Sequence, residues 1–314
     1  MNMLNLRRSL ATGAVAVLTA WPAAVCAQVD GATAATAQAA TKTAPKAVQN
    51  YRVAACDWMM LKRQKIGEFQ LAHDIGADGI EMDMGPLGQR VLFDNKLREP
   101  HFQQLFRHKA DSLGVQVPSV AMSGFFAQSL LKRVNYMALL DDCLKTMDVM
   151  GARVAFLPLG GSGNEWQKPG SEARREMVSR LHEMGQRAAA QGKVIAVRTQ
   201  LDARANLILL KEISSPGIKI YYNLQDAVDR GLDPSKELKR LGARNIAQIH
   251  ASLTDSVTLD CDPRIDLRRV KKTLDRMHWT GWLVVERSRN ARDVKNVRKN
   301  YGTNVAYLKE IFQK

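Results

Sequence analysis

Six polar side chains stand at the carboxyl ends of short apolar segments spread along the chain: Asp57, Glu81, Arg198, Asn223, His250 and Glu286. Their chemistries are complementary. A carboxylate takes up a proton, an imidazole passes one on near neutral pH, and a guanidinium keeps its charge throughout. Asparagine adds a neutral carbonyl and an amide donor. Brought to one place, these types make a general acid–base site. Lys132 and Arg204 are further candidates from the intervening loops. Glu286 poses the physical problem most sharply, because it follows the apolar run Leu283-Val284-Val285. A carboxylate at the end of a buried strand is costly unless a cation or hydrogen-bond donors meet it.

The elements that must position these residues alternate, strand then helix. Strands are expected over 52–56, 79–83, 115–122, 153–157, 194–198, 218–223, 246–250 and 282–286. Helices are expected over 64–75, 101–113, 131–150, 171–191, 203–213, 234–241, 267–277 and 293–312. Gly76, Gly114, Gly151 and Gly192 mark helix ends, and Ser171 reads as an N-cap. Strands joined by helical crossovers run parallel, and eight such units most simply close into a single (β/α)8 TIM barrel, an α/β fold. Chemistry in that fold sits at the carboxyl ends of the strands, where all six residues fall. An open doubly wound sheet is the alternative, but no G-x-G-x-x-G turn follows the first strand. Gly160, Gly161 and Gly163 lack the lysine and serine of a phosphate loop and read as a flexible loop over the site.

Ahead of the barrel, Arg7-Arg8, an apolar stretch from Leu10 to Ala20 and the small-residue site Val25-Cys26-Ala27 read as an export signal over 1–27, of partly twin-arginine character. Residues 28–50, rich in Ala and Thr, read as a flexible leader, leaving 51–314 for the barrel. An exported, periplasmic or secreted protein without a membrane span is expected. The net charge is +15, but Lys and Arg are scattered over the expected helices and no nucleic-acid-binding motif occurs, so no specific nucleic-acid partner is expected. Cys56, Cys143 and Cys261 remain after the signal, far apart, and read as structural thiols.

The segments Ile75-Gly-Ala-Asp-Gly-Ile-Glu81, Ile195-Ala-Val-Arg-Thr199, Tyr221-Tyr-Asn-Leu224, Ile249-His-Ala-Ser-Leu-Thr-Asp255 and Val284-Val-Glu-Arg-Ser-Arg289 resemble the xylose isomerase-like barrels, a superfamily of sugar isomerases, sugar-phosphate epimerases and endonuclease-IV-like enzymes. The resemblance implies one divalent metal (Mn, Mg or Zn) held by Glu, Asp, His and Glu from strands five to eight, the two glutamates exchanging a proton with the substrate carbon. His250 and Glu286 fill the last two of these positions, but Arg198 and Asn223 replace the strand-five Glu and strand-six Asp. Asp226 stands where the family often has a substrate-binding His.

The replacements oppose a cation, since hard metals rely on anionic oxygen ligands. Arg198 is expected to pair with Glu286 in the metal's stead, leaving no cofactor. A metal-free enzyme would use Arg198 as electrophile, Glu286 or Glu81 as base and His250 as partner. His250, Asn223, Asp226, Arg204 and Trp58 would contact a carbohydrate, with Trp58, Phe125, Phe126 and Trp166 available for stacking on a sugar ring. A catalytically silent sugar-binding protein is the alternative, and an endonuclease-IV-like phosphodiesterase is disfavoured because its several metals would lack ligands.

Overall fold

The computed structural model describes residues 50–314, so the export signal expected over 1–27 and nearly all of the leader expected over 28–50 lie outside the described residues. Strands and helices alternate as β1 (Tyr51–Cys56), α1 (Gly67–Asp74), β2 (Gly79–Asp83), α2 (Pro100–Leu113), β3 (Gln116–Ala121), α3 (Tyr136–Met150), β4 (Val154–Pro158), α4 (Glu172–Ala189) and β5 (Val194–Arg198). The chain continues through α5 (Ala203–Ile213), β6 (Ile218–Asn223), α6 (Leu224–Asp229), α7 (Pro234–Leu241), β7 (Ile246–His250), α8 (Leu267–Arg276), β8 (Gly281–Val285) and α9 (Val297–Phe312). All eight strands are parallel and close in sequence order, β8 pairing back onto β1. The expected (β/α)8 barrel is the fold.

Side-chain alternation divides the apolar residues into two cores. One parity of each strand packs outward against the helices, as with Val53, Ile80, Val120, Leu157, Val197, Ile220, Ile249 and Leu283. The other fills the barrel with Ala54, Cys56, Ala121, Phe156, Ala196, Tyr221 and Val284. Three alanines at this level leave space that the rings of Phe156 and Tyr221 occupy, with centroids 4.7 Å apart. The same inward parity carries Glu81, Arg198, Asn223 and His250 upward to the mouth.

Several boundaries differ from the sequence expectation for local reasons. Helix α1 begins at Gly67 rather than 64, because 57–66 forms a loop in which Leu61 and Gln64 take positive φ. Helix α3 starts at Tyr136, after a separate turn at Leu130–Lys132. An extra short helix, α6, is capped by the Asn223 side chain, which accepts from Asp226 N–H. Gly160 and Gly161, expected in a flexible loop over the site, lie in close packing: a Cβ at Gly161 would lie 2.3 Å from the Gln128 backbone, and one at Gly160 2.7 Å from the Phe126 carbonyl. They permit close packing between two loops of the mouth. Among the described residues no helix is long and apolar enough to cross a membrane.

Because Phe156 is fully buried at the centre of the barrel, Phe156→Ala is expected to cost about 3–5 kcal/mol of stability. Urea unfolding checks this.

Candidate active site

Glu81 leaves the middle of β2 pointing into the barrel with no exposure. Such a carboxylate is tolerable only if donors surround it, and three do. Ser119 Oγ donates to Oε2 from β3, where Ser119 is the strand neighbour of Glu81 (2.6 Å). Tyr221 OH donates to the same oxygen (2.8 Å), and His250 Nε2 lies 2.8 Å from Oε1. With Glu81 as acceptor, the His250 proton is assigned to Nε2, leaving Nδ1 as a lone pair. That Nδ1 is buried without a hydrogen-bond partner.

Aromatic rings fix the imidazole: Tyr221 at 4.2 Å, Phe156 at 4.8 Å and Trp58 at 6.4 Å between centroids. Burial first, and then the Glu81 charge and hydrogen bond, hold the Tyr221 phenol well above its ordinary pKa, so it remains a neutral donor. The Cys56 thiol is likewise pushed up, by burial and then by the charges of Glu286 and Glu81. It is a space-filling thiol, not a nucleophile.

The second half of the site is ionic. Glu286, one residue beyond β8, is oriented through its backbone: its N–H donates to Ser252 Oγ (3.2 Å), and Tyr301 OH donates to its carbonyl (2.6 Å). Arg198 NH1 lies 3.3 Å from Glu286 Oε2. The tighter partner of Arg198 is Asp226, gripped through Nε (3.0 Å) and NH2 (2.7 Å). Burial pulls the Arg198 pKa down, but the Asp226 hydrogen bond and the Glu286 and Asp226 charges outweigh it and the net shift is upward. Asn223 belongs to the same half, its side-chain oxygen capping α6 and its amide donating to Glu286 Oε2 (3.3 Å). An aspartate there would repel Glu286; asparagine can donate to it.

The fold thus unites Glu81, Arg198, Asn223, Asp226, His250 and Glu286, with Trp58 over the imidazole. The expected Arg198–Glu286 pair forms, while Asp226 serves as the guanidinium's main anchor. Arg204 is exposed in the first turn of α5, and Lys132 is exposed in the loop before α3; among the described residues neither is joined to this cluster by a hydrogen bond or ion pair. Asp57 belongs to a separate carboxyl cluster beside the site. Phe125 and Trp166 are buried in the outer core, whereas the Arg198 guanidinium sits 5.6 Å from the Phe126 ring. Ser119, Tyr221, Phe156 and Ser252 escaped the sequence reading. The two-residue alternation back from Asn223 was enough to point Tyr221 inward; the others have no sequence signal beyond lying on strands or strand ends.

A divalent metal does not fit these side chains. Only His250 Nδ1 and Glu286 Oε2, 3.7 Å apart, face a common point, and the same Glu286 oxygen already meets a guanidinium. Among the described residues no three His, Cys, Asp or Glu side chains are arranged to hold a metal ion.

Residues 69–311 match the sequence model of the xylose isomerase-like TIM barrel. No curated protein sequence matches the chain. Solved structures similar in fold include a xylose isomerase domain protein from Planctomyces limnophilus, at 17% identity, covering 85% of this chain and 98% of that one with a TM-score of 0.64. A D-psicose 3-epimerase crystallised with D-fructose shares 10% identity over 84% of this chain and 100% of its own, with a TM-score of 0.67. An L-ribulose 3-epimerase shares 13% identity, 84% and 95% coverage, and a TM-score of 0.66.

Removing the guanidinium would leave the buried Glu286 and the half-buried Asp226 without their cation. Arg198→Leu is therefore expected to destabilise the protein by roughly 3–5 kcal/mol, and to do so less when combined with Asp226→Leu. Chemical denaturation of the single and double variants measures both.

Proposed function

The chain belongs to the xylose isomerase-like TIM barrel family, and from that premise we propose that it acts on a carbohydrate by metal-free proton transfer next to a carbonyl group, as an isomerase or epimerase. The carrying observation is the pairing of His250 Nε2 with Glu81 at 2.8 Å while Nδ1 stays buried and unpartnered beside Glu286. A carboxylate behind an imidazole fixes its tautomer and stabilises the imidazolium once the far nitrogen takes a proton. Fold neighbours that include sugar epimerases support the substrate class.

In this reading His250 Nδ1 removes the proton from the carbon beside the carbonyl. The C–H electron pair becomes the C=C bond of an enolate, and the carbonyl oxygen takes the negative charge. Arg198 receives that oxygen. NH1 and NH2 are held by Glu286 and Asp226, and each nitrogen carries two N–H donors. A preorganised guanidinium stabilises the enolate without reorganising at the moment of reaction. Return of the proton to the same carbon on the other face gives epimerisation, and its delivery to the neighbouring carbon gives isomerisation. Glu286 lies within reach of His250 as the second proton carrier. An exported location, read from residues 1–27, accompanies this proposal.

One observation favours a silent binding protein instead: His250 and Glu81 have no solvent exposure. Solvent deuterium exchange into a panel of keto and aldo sugars separates the readings. The wild-type protein is expected to catalyse exchange beside the carbonyl, with His250→Asn reducing the rate by about 10²–10⁴-fold. Sugar binding without exchange across the panel would establish the silent reading. A companion measurement concerns metal. Mn²⁺, Mg²⁺ and Zn²⁺ are expected to leave the wild-type Tm unchanged, whereas the double variant Arg198→Glu with Asn223→Asp gains metal binding by calorimetry.

A further inference from the structure

Exposed apolar side chains are concentrated on one arc of the barrel mouth. Among the described residues six large hydrophobic side chains are exposed. Two of them, Leu105 on α2 and Ile208 on α5, are single helix-surface residues of the kind any protein carries. The other four, Leu61, Val91, Phe126 and Val134, lie on the loops that follow β1, β2 and β3, three consecutive loops at the carboxyl end of the barrel. Leu61 is 66% exposed, Val91 74% and Val134 91%. Phe126, 37% exposed, continues the arc to the site, where its ring meets Arg198. Among the described residues the loops after β4 to β8 carry no exposed large hydrophobic side chain.

These tips do not fold back onto the core, because the loops that carry them are tied to one another. Arg133 donates from NH1 to the Arg90 carbonyl (3.0 Å) and from NH2 to the Gly88 carbonyl, and the Asn135 amide donates to the Val91 carbonyl (2.5 Å). Val134, between those two anchors, stands outward at the seam of the two loops. The β1 loop is fastened to the β2 loop through Gln64, whose side-chain amide donates to Asn95 Oδ1 (2.9 Å) and accepts from the Lys96 N–H (2.8 Å). Cations stand beside each of the three most exposed tips. Lys62, Arg63 and Lys65 follow Leu61, Arg90 precedes Val91, and Lys132-Arg133 precedes Val134. The exposed carboxylates of the three loops are Asp94 and Glu99 alone, and Asp94 already faces Arg90 (3.6 Å).

We propose that this arc docks the protein on an anionic lipid surface, the three apolar tips entering the headgroup boundary while the flanking cations meet lipid phosphates. Separate apolar points set among cations suit a planar interface that is charged at its surface and apolar beneath. A protein partner would call for one contiguous apolar centre with its charges at the rim, whereas here cations separate the apolar points. A second copy of this chain, with its net charge of +15, would set the same cations face to face. The tips are already held in place, so docking orders no loop and forfeits little conformational entropy. Docking on this side leaves the arc of the mouth over β5 to β7 to the solvent, so a dissolved substrate keeps a route to the site. The inference does not depend on the proton-transfer reading.

Co-sedimentation of the full chain with vesicles tests the surface. Wild-type protein is expected to bind phosphatidylcholine vesicles containing about one-third phosphatidylglycerol and to bind pure phosphatidylcholine roughly tenfold more weakly. NaCl at about 0.5 M is expected to release it. The triple variant Leu61→Ser, Val91→Ser, Val134→Ser should partition at least roughly tenfold less. The triple variant Lys62→Glu, Lys65→Glu, Lys132→Glu should lose a similar factor, roughly tenfold or more. All these chains carry the same residues 1–50, so any affinity contributed by the expected export signal is common to them. A second readout is confined to the arc: an environment-sensitive fluorophore on Val134→Cys, in a Cys26→Ser, Cys261→Ser background, is expected to shift to the blue on the anionic vesicles and not on the neutral ones. Its two remaining thiols, Cys56 and Cys143, are buried. Equal partition of the wild type and both triple variants, or a fluorophore that does not shift, overturns the proposal. A dimer seen by analytical ultracentrifugation without vesicles, and dissolved by the serine variant, assigns the arc to a second copy and overturns it as well.

Discussion

The structure at the barrel mouth depends on compensation of buried negative charge. Glu81 on β2 and Glu286 just beyond β8 flank β1 and enter a space lined by Phe156, Tyr221 and three alanines, where an unpaired carboxylate could not persist. Two different solutions have been built. Glu81 is surrounded by a hydroxyl from β3, a phenol from β6 and an imidazole from β7. Glu286 is met by a guanidinium that is itself anchored on Asp226. The two solutions share His250, which donates to one carboxylate and turns its free nitrogen toward the other.

A guanidinium organises the groups around it differently from the metal that the family resemblance implies. A metal collects anionic ligands, so each position around it is pressed toward Glu, Asp or His. A guanidinium instead demands acceptors in its own plane, which makes Asp226 useful and lets Asn223 turn its amide toward Glu286. Arg198, Asn223 and Asp226 are thus joined around Glu286 in one hydrogen-bonded group. Arginine also keeps a fixed position, with spare N–H groups, which suits an oxygen whose charge grows during reaction.

How legible was this in the sequence? The alternation of apolar strands and glycine-stopped helices carried the eight-unit order, because parallel strands covered on both faces must be continuously apolar and helices must end where glycine permits. The resemblance in five short segments carried the family. The Arg198–Glu286 pairing was legible because both stand at strand ends on the inward parity. Helix starts were less so: 57–66 contains good helix formers, yet tertiary contacts of Gln64 and Asp57 hold it as a loop. The burial of three more carboxyls gave no signal, since nothing in the residue types says that Asp57, Glu68 and Asp83 lie away from water.

By itself, the sequence determined the period of its elements, the order in which they could close and the inventory of groups at the strand ends. These are local properties, set by side-chain parity, capping and glycine placement. Partner choice was decided only in three dimensions. His250 had two carboxylates within the same barrel, Arg198 had two acids, and the buried Glu68 carboxyl found no hydrogen-bond partner. Which pairs form depends on strand register and on the fraction of an ångström left between packed rings, and neither quantity is written in the spacing of residues along the chain.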